Sequence, residues 1–296
     1  MTATLERPAV RTTGVVLTVA GLTLREAGRR RVLWALGALT LILLGLSAWG
    51  FAKLASVSVG GAGLTSGEAR LAASEVLNLV MFGYSLVAAL GTAFLAGPTL
   101  SGEIESGMAL SLLARPVRRS TVLLGKWLGL VVFGSGFIVL AGLAQFVVVR
   151  VAVGYWPPDP VVGLALLAFE TAALLTLGLL LSTAISPMAS GIVAVGLFGS
   201  AWVAGIVGGV GVAINNSSVA AVGTISRVVL PTDGLWRGAM HAIQDPSALR
   251  TFGGVEGGAF PFLSAQSLSG AYLGWVVVWI LIIGGLAALS FSRRDI

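Results

Sequence analysis

Residues 161–185 read VVGLALLAFETAALLTLGLLLSTAI, a run in which Glu170 is the one charged side chain. About 20 predominantly apolar residues suffice to cross the hydrocarbon core as a helix. In lipid the backbone donors and acceptors have no water to bond, so such a run satisfies them internally and forms a helix. Pro187 follows in the link from Ser182 to Ser190 and cannot continue a helix without losing a bond. The next run, Gly191–Ala213, is therefore the return arm of a tight helical hairpin.

Working outward, four further runs meet the same length requirement: 32–51, 77–96, 128–149 and 271–289. With 161–185 and 191–213 they predict an all-α, polytopic membrane protein with six transmembrane helices. Composition agrees: the 296 residues are 56% hydrophobic and 10% charged, with 41 glycines, and mean hydropathy is +0.98. Such a chain has too little polar surface to coat a soluble globule. It has no cysteine, which excludes disulfide, thiolate and Cys-zinc chemistry.

The net charge of +6 reads as topology before nucleic acid, because Lys and Arg concentrate in cytoplasmic loops. Of eighteen basic residues, six precede the first span, four lie in 101–129 and two are Arg293 and Arg294. The other six, Lys53, Arg70, Arg150, Arg227, Arg237 and Arg250, fall on the opposite side. Twelve against six predicts both termini inside, in the cytoplasmic (inner) cell membrane.

Residues 1–31 form a basic cytoplasmic N-terminus. Their apolar run, Val15–Leu24, is too short to span, and the expectation is an interfacial helix with Val15, Val19 and Leu22 on its buried face and arginines toward anionic headgroups. On the opposite side, 214–270 is the one sizeable segment. It starts a short amphipathic helix at Pro231, with Leu235, Ala239 and Ile243 on one face and Trp236 and Met240 beside them. An outer interfacial position and a surface-exposed His241 are expected.

No H-E-x-x-H motif occurs and His241 is the sole histidine, so zinc or haem chemistry has no ligand set. A phosphate-binding loop fails around Gly125-Lys126, where Ser120 and Trp127 stand at the first and last fixed positions. The chain is not expected to be an enzyme. Glu170 is the one carboxylate deep in a span, at a cost of at least ~2.5 kcal/mol if charged toward lipid. It is either a polar element of a transport path or a hydrogen-bonded packing residue between helices. Gly205 and Gly209 supply a weak G-x-x-x-G signal for close helix approach.

Between the second and third spans, Pro98 and Gly102 are expected to break the helix, Ser101 to cap a new one, and Ile104, Met108 and Leu112 to share its apolar face. Glu103 and Glu105 fall in its first turns, favoured by the helix dipole. Pro116 ends it, over 102–116, and Arg115, Arg118 and Arg119 follow. Ser120 is placed to cap the third span and Lys126 to snorkel to the inner surface. A mixed acidic, apolar and basic surface suits a protein partner better than anionic lipid.

Glu103 to Trp127, EIESGMALSLLARPVRRSTVLLGKW, resembles the signature of the type 2 ABC-exporter permeases, with its E-x-G-T-L, L-L, P, S/R and G-K pattern. Glu105, Gly107, Leu112, Leu113, Pro116, Arg119, Gly125 and Lys126 match; Met108 and Ala109 stand where Thr and Leu are usual. The resemblance implies that Glu103–Pro116 is a cytoplasmic coupling helix seated in a separate ATP-binding-cassette ATPase subunit. It implies an interface of Glu103, Ile104, Glu105, Met108, Leu112, Leu113, Pro116, Arg118 and Arg119, with ATP and Mg on that partner, and a second permease copy or paralogue. A secondary transporter using Glu170, or a non-transporting assembly protein, are the alternatives left by the residues alone.

Overall fold

The structure is a computed structural model that describes residues 12–56, 58–59, 62–63, 66–105, 118–247, 262–264 and 267–293. In chain order the helices are α1 (Thr12–Arg29), α2 (Val32–Ser56), α3 (Ser66–Leu95), α4 (Gly97–Glu105), α5 (Arg119–Val153), α6 (Pro160–Ala184), α7 (Pro187–Ala213), α8 (Ser217–Val229), α9 (Thr232–Ile243) and α10 (Gly270–Arg293). A two-residue antiparallel ladder, Ser58–Val59 with Ala62–Gly63, joins α2 to α3. Among the described residues the fold is all-α apart from that ladder.

Among the described residues, six helices are long and apolar enough to cross a membrane: α2, α3 with the start of α4, α5, α6, α7 and α10. The helices overrun the apolar runs: α3 begins at Ser66 and α5 reaches from Arg119 to Val153. The most apolar 18-residue window of α6 is 72% buried, against 17% for α2 and 22% for α10. The central helix is thus α6, whose Leu167 packs with Met81, Tyr84, Ile138, Leu235 and Val276.

Helix starts and stops follow local chemistry. Pro160 and Pro187 occupy the first turns of α6 and α7, where the missing N–H loses nothing. Between α6 and α7 only Ile185 and Ser186 remain, so the hairpin is tighter than the Ser182–Ser190 link suggests. At the end of α5, Gly154 takes φ 70° and donates its N–H to the Arg150 carbonyl at 3.1 Å, a left-handed stop suited to glycine.

The structure corrects the placement of the segment after α7. Helix α8 turns back along α7: Gly208 faces Gly223, and a Cβ at Gly208 would lie 2.6 Å from the Gly223 Cα. Helix α9 then runs back along α6, antiparallel to it, with Gly163 against Ile243 and Gly238 against Leu166. That register sets the first turn of α9 level with Glu170, about 15 Å along α6 from Pro160. Helices α8 and α9 form a hairpin whose arms differ: α8 lies against α7 with Val222, Ile225 and Val229 exposed, while α9 is buried within the bundle and is not an interfacial helix on its surface. Leu235, Trp236, Ala239, Met240 and Ile243 are all buried. Its tip residue Leu230 packs with Ala173, Leu177, Ala201 and Trp279.

Non-helical backbone at membrane depth requires protein partners, and α10 supplies them. The Tyr272 hydroxyl donates to the Arg227 carbonyl at 3.0 Å, Trp275 Nε1 to Val228 at 3.1 Å and Trp279 Nε1 to Val229 at 2.8 Å. Three aromatic donors on α10 thereby cap three successive carbonyls at the end of α8, which would otherwise be orphaned. One of these acceptors, the Arg227 carbonyl, has lost its helical donor because Pro231 has no N–H.

Helix α1 forms where expected, but its protein-facing seam differs. Val16, Val19, Ala20 and Thr23 lie on Gly125 and Gly129 of α5; a Cβ at Gly125 would sit 2.6 Å from the Val19 Cβ. Val15 and Val19 are half-buried, while Leu22 on the same side of the helix is exposed and makes no part of the seam with α5. Two glycines on α5 leave room for this close crossing.

Candidate functional site

Two regions carry the residues singled out by sequence. The first is the junction of α3 and α4 at the arginine-rich end of the bundle. Helix α4 starts at Gly97, so Pro98 lies in its first turn and Ser101 lies inside it. Ser101 is buried and its hydroxyl donates to the Gly97 carbonyl at 2.8 Å, which corrects its expected capping role. Pro98 suits a first turn because no helical partner awaits its N–H. The true cap comes from another helix: Ser182 Oγ of α6 accepts the N–H groups of Leu100 at 3.1 Å and Ser101 at 3.2 Å.

Pro98 also leaves the Phe94 carbonyl without its i+4 donor. Arg30 Nη1 fills that position at 3.2 Å, while its Nη2 pairs with Glu26 at 2.7 Å. Lys126 does not snorkel outward. It is 4% exposed and its Nζ donates to the Thr99 carbonyl of α4 at 3.0 Å. The one-residue break between α3 and α4 is therefore held by side chains from α1, α5 and α6. Contacts of Gly97 with Pro187 and of Gly191 with Ala93 add α7.

Glu103, Ile104 and Glu105 form the last turn of α4, and Glu105 is exposed. Met108, Leu112, Leu113 and Pro116 lie outside the described residues. Arg118, exposed, is the N-cap residue of α5, with no side-chain capping bond. Ser120, exposed in the first turn of α5, does not cap it, because the helix already begins at Arg119. Arg119 is half-buried, and its Nη1 donates to the Phe291 carbonyl at 3.4 Å and reaches the Ser292 carbonyl at 3.5 Å. It thus joins the start of α5 to the end of α10.

The second region surrounds Glu170. Its side chain is 1% exposed and accepts the Ser85 hydroxyl of α3 at Oε2, 2.6 Å away; Oε1 has no hydrogen-bond partner among the described residues. Level with it, in the first turn of α9, Asp233 is buried and its Oδ2 accepts Arg227 Nε at 2.9 Å and Arg237 Nε at 3.1 Å. Gly205 of α7 makes room for this carboxylate, so the G-x-x-x-G signal marked a site for a side chain rather than for a helix. Thr232 Oγ1, Asp233 Oδ1 and Trp236 Nε1 are also buried without partners among the described residues.

Rings close over this level. Phe82 stacks on Trp202 at 4.6 Å between centroids and meets Trp236 at 5.4 Å and Phe262 at 5.7 Å. His241 is half-buried, not a free surface residue, with Nδ1 3.1 Å from the Ser264 carbonyl. Sequence reasoning missed Ser182, Arg30 and the Asp233 cluster. Only the Asp233–Arg237 spacing of four on a helix was a readable signal; the others are long-range contacts.

Among the described residues, five helices of spanning length around a sixth, the central α6, with the α8–α9 hairpin packed against them, define a multi-pass helical membrane protein. The chain belongs to the ABC-2 family of transporter proteins: the family model described as "ABC-2 family transporter protein" matches residues 17–296. It is accordingly an ABC-type permease, a membrane subunit that in this family normally pairs with an ATPase subunit. A search of the curated proteins found no match.

Proposed function

We propose that the chain is the permease subunit of an exporter, driven by a separate cytoplasmic ATP-binding-cassette ATPase that carries the ATP and Mg. Two permeases, identical or paired with a sister chain, bind two ATPase subunits. Both termini lie in the cytoplasm of the cell bearing this membrane, which puts α4, Arg118 and the end of α10 on the ATPase side. The observation that carries this reading is the family match over 17–296, joined to an exposed Glu105 at the end of α4.

The coupling segment Glu103–Pro116 receives movement from the ATPase. Helix α4, which leads into it, is held at Leu100 and Ser101 by Ser182 and at Thr99 by Lys126, so the movement enters α6 and α5 directly. A lever tied to the most buried helix of the bundle shifts packing throughout it. Glu170 and Asp233, level with one another at the hairpin tip, are the polar elements of the transport path. Differential binding between inward-open and outward-open states is the permease's own contribution.

Co-purification with the ATPase tests this. Glu105→Lys alone is the decisive arm, because Arg119→Glu also removes the bonds to the end of α10. Loss of the ATPase with membrane insertion retained supports the coupling role. Undiminished co-purification of Glu105→Lys contradicts it.

A further inference from the structure

The bundle holds one lateral crevice on its arginine-rich half that the permease reading does not use. It has a volume of about 150 Å³ and is lined by α2, α3, α5 and α6. Its floor is buried Val87, Ala88, Gly91 and Thr92 with Thr171 and Leu175, and its mouth is half-exposed Leu33, Gly37, Phe133 and Phe137 between α2 and α5. The two threonine hydroxyls are turned into their own helices, Thr92 to the Ala88 carbonyl at 3.1 Å and Thr171 to Leu167 at 2.9 Å. The walls therefore present hydrocarbon alone, and a cavity of this size and lining stays dry and takes an apolar guest.

Position and charge identify the guest. From Leu95 to Val87 the crevice follows α3 for about 12 Å, within the span that crosses the membrane, so the surrounding solvent is lipid. Leu33 at its mouth lies two residues after Arg31 of the Arg29–Arg31 cluster. Arg30 is taken up by Glu26 and the Phe94 carbonyl, while Arg29 and Arg31 are exposed at the turn between α1 and α2. We propose that this crevice holds one acyl chain of an anionic phospholipid from the arginine-side leaflet, with its phosphate between Arg29 and Arg31. Glycine keeps the site open: at Gly37 a Cβ would meet nothing within 4 Å, so the space there belongs to the crevice.

The experiment reconstitutes the purified chain in vesicles of phosphatidylcholine mixed with phosphatidylglycerol of matched chains, then extracts it mildly and counts retained lipids by native mass spectrometry. The wild type retains phosphatidylglycerol over phosphatidylcholine, by about 5-fold for each arginine engaged. Gly37→Leu fills the crevice and lowers retention of both lipids, and Arg29→Gln with Arg31→Gln abolishes the preference but keeps the chain-dependent retention. Leu33→Trp, at the half-exposed mouth, is the second blocking variant should Gly37→Leu not fold. Equal retention of the two lipids by the wild type, or wild-type retention by a folded blocking variant, overturns the proposal. Neither readout depends on an ATPase or on a transported substrate.

Discussion

Ser182→Ala is the substitution whose consequence the structure defines most narrowly. It removes one oxygen that accepts from two backbone donors, Leu100 N–H at 3.1 Å and Ser101 N–H at 3.2 Å, both on residues 1% exposed. Loss of a helix N-cap costs about 0.5–2 kcal/mol, and a buried donor left unpaired about 1–3 kcal/mol. Because one oxygen serves both donors, about 2 kcal/mol is expected, not twice the single-donor figure. Each 1.4 kcal/mol is a factor of ten in an equilibrium, so local opening of α4 should rise roughly 30-fold. Amide hydrogen exchange at the first turn of α4 should quicken by that factor while the tip of α8–α9 keeps its protection. Ser182→Thr, which retains the hydroxyl, should restore most of it. Unchanged exchange at residues 100 and 101 in Ser182→Ala would refute the capping account.

Three further outcomes are expected. Asp233→Ala leaves two guanidinium groups facing a buried void, and breaking such a pair costs about 3–5 kcal/mol, reduced here because Arg227 is 32% exposed; thermal unfolding in detergent should show a clear fall in Tm, larger than for Arg227→Gln. Trp279→Phe deletes the indole donor to Val229 together with part of a buried ring, and should destabilise by at least about 1–2 kcal/mol, with exchange increasing at the end of α8. Gly129→Leu places a side chain where the Ala20 carbonyl lies 2.7 Å from a bare Cβ; α1 should become sensitive to protease while the six spans remain inserted.

The spans were legible because lipid permits few structures and the apolar runs are long. Glu170's depth in the span was equally legible, since it stands in the middle of 161–185, but its partner was not, because Ser85 is 85 residues away. The hairpin tip was not legible. A pattern that places Leu235, Ala239 and Ile243 on one face describes an interfacial helix and a re-entrant one alike; what separates them is the fit of Gly208, Gly223 and Gly238 against their neighbours. Ser101 misled for a related reason. Serine beside a helix break is a capping signal, but here the cap is Ser182 from another helix, and Pro98 had already opened α4. Glu103–Pro116 owed its functional reading to a resemblance, and most of that segment lies outside the described residues.

The coupling role of α4 is tested most directly by a photo-crosslinking residue introduced at Glu105, which is exposed, in cells that express the chain with its ATPase. The control is Leu41, an exposed apolar position in the middle of α2. The account predicts that irradiation joins position 105 to the ATP-binding subunit and position 41 to no protein of that kind. Capture of the ATPase from 41 but not from 105, or from neither in a complex that still co-purifies, would contradict it.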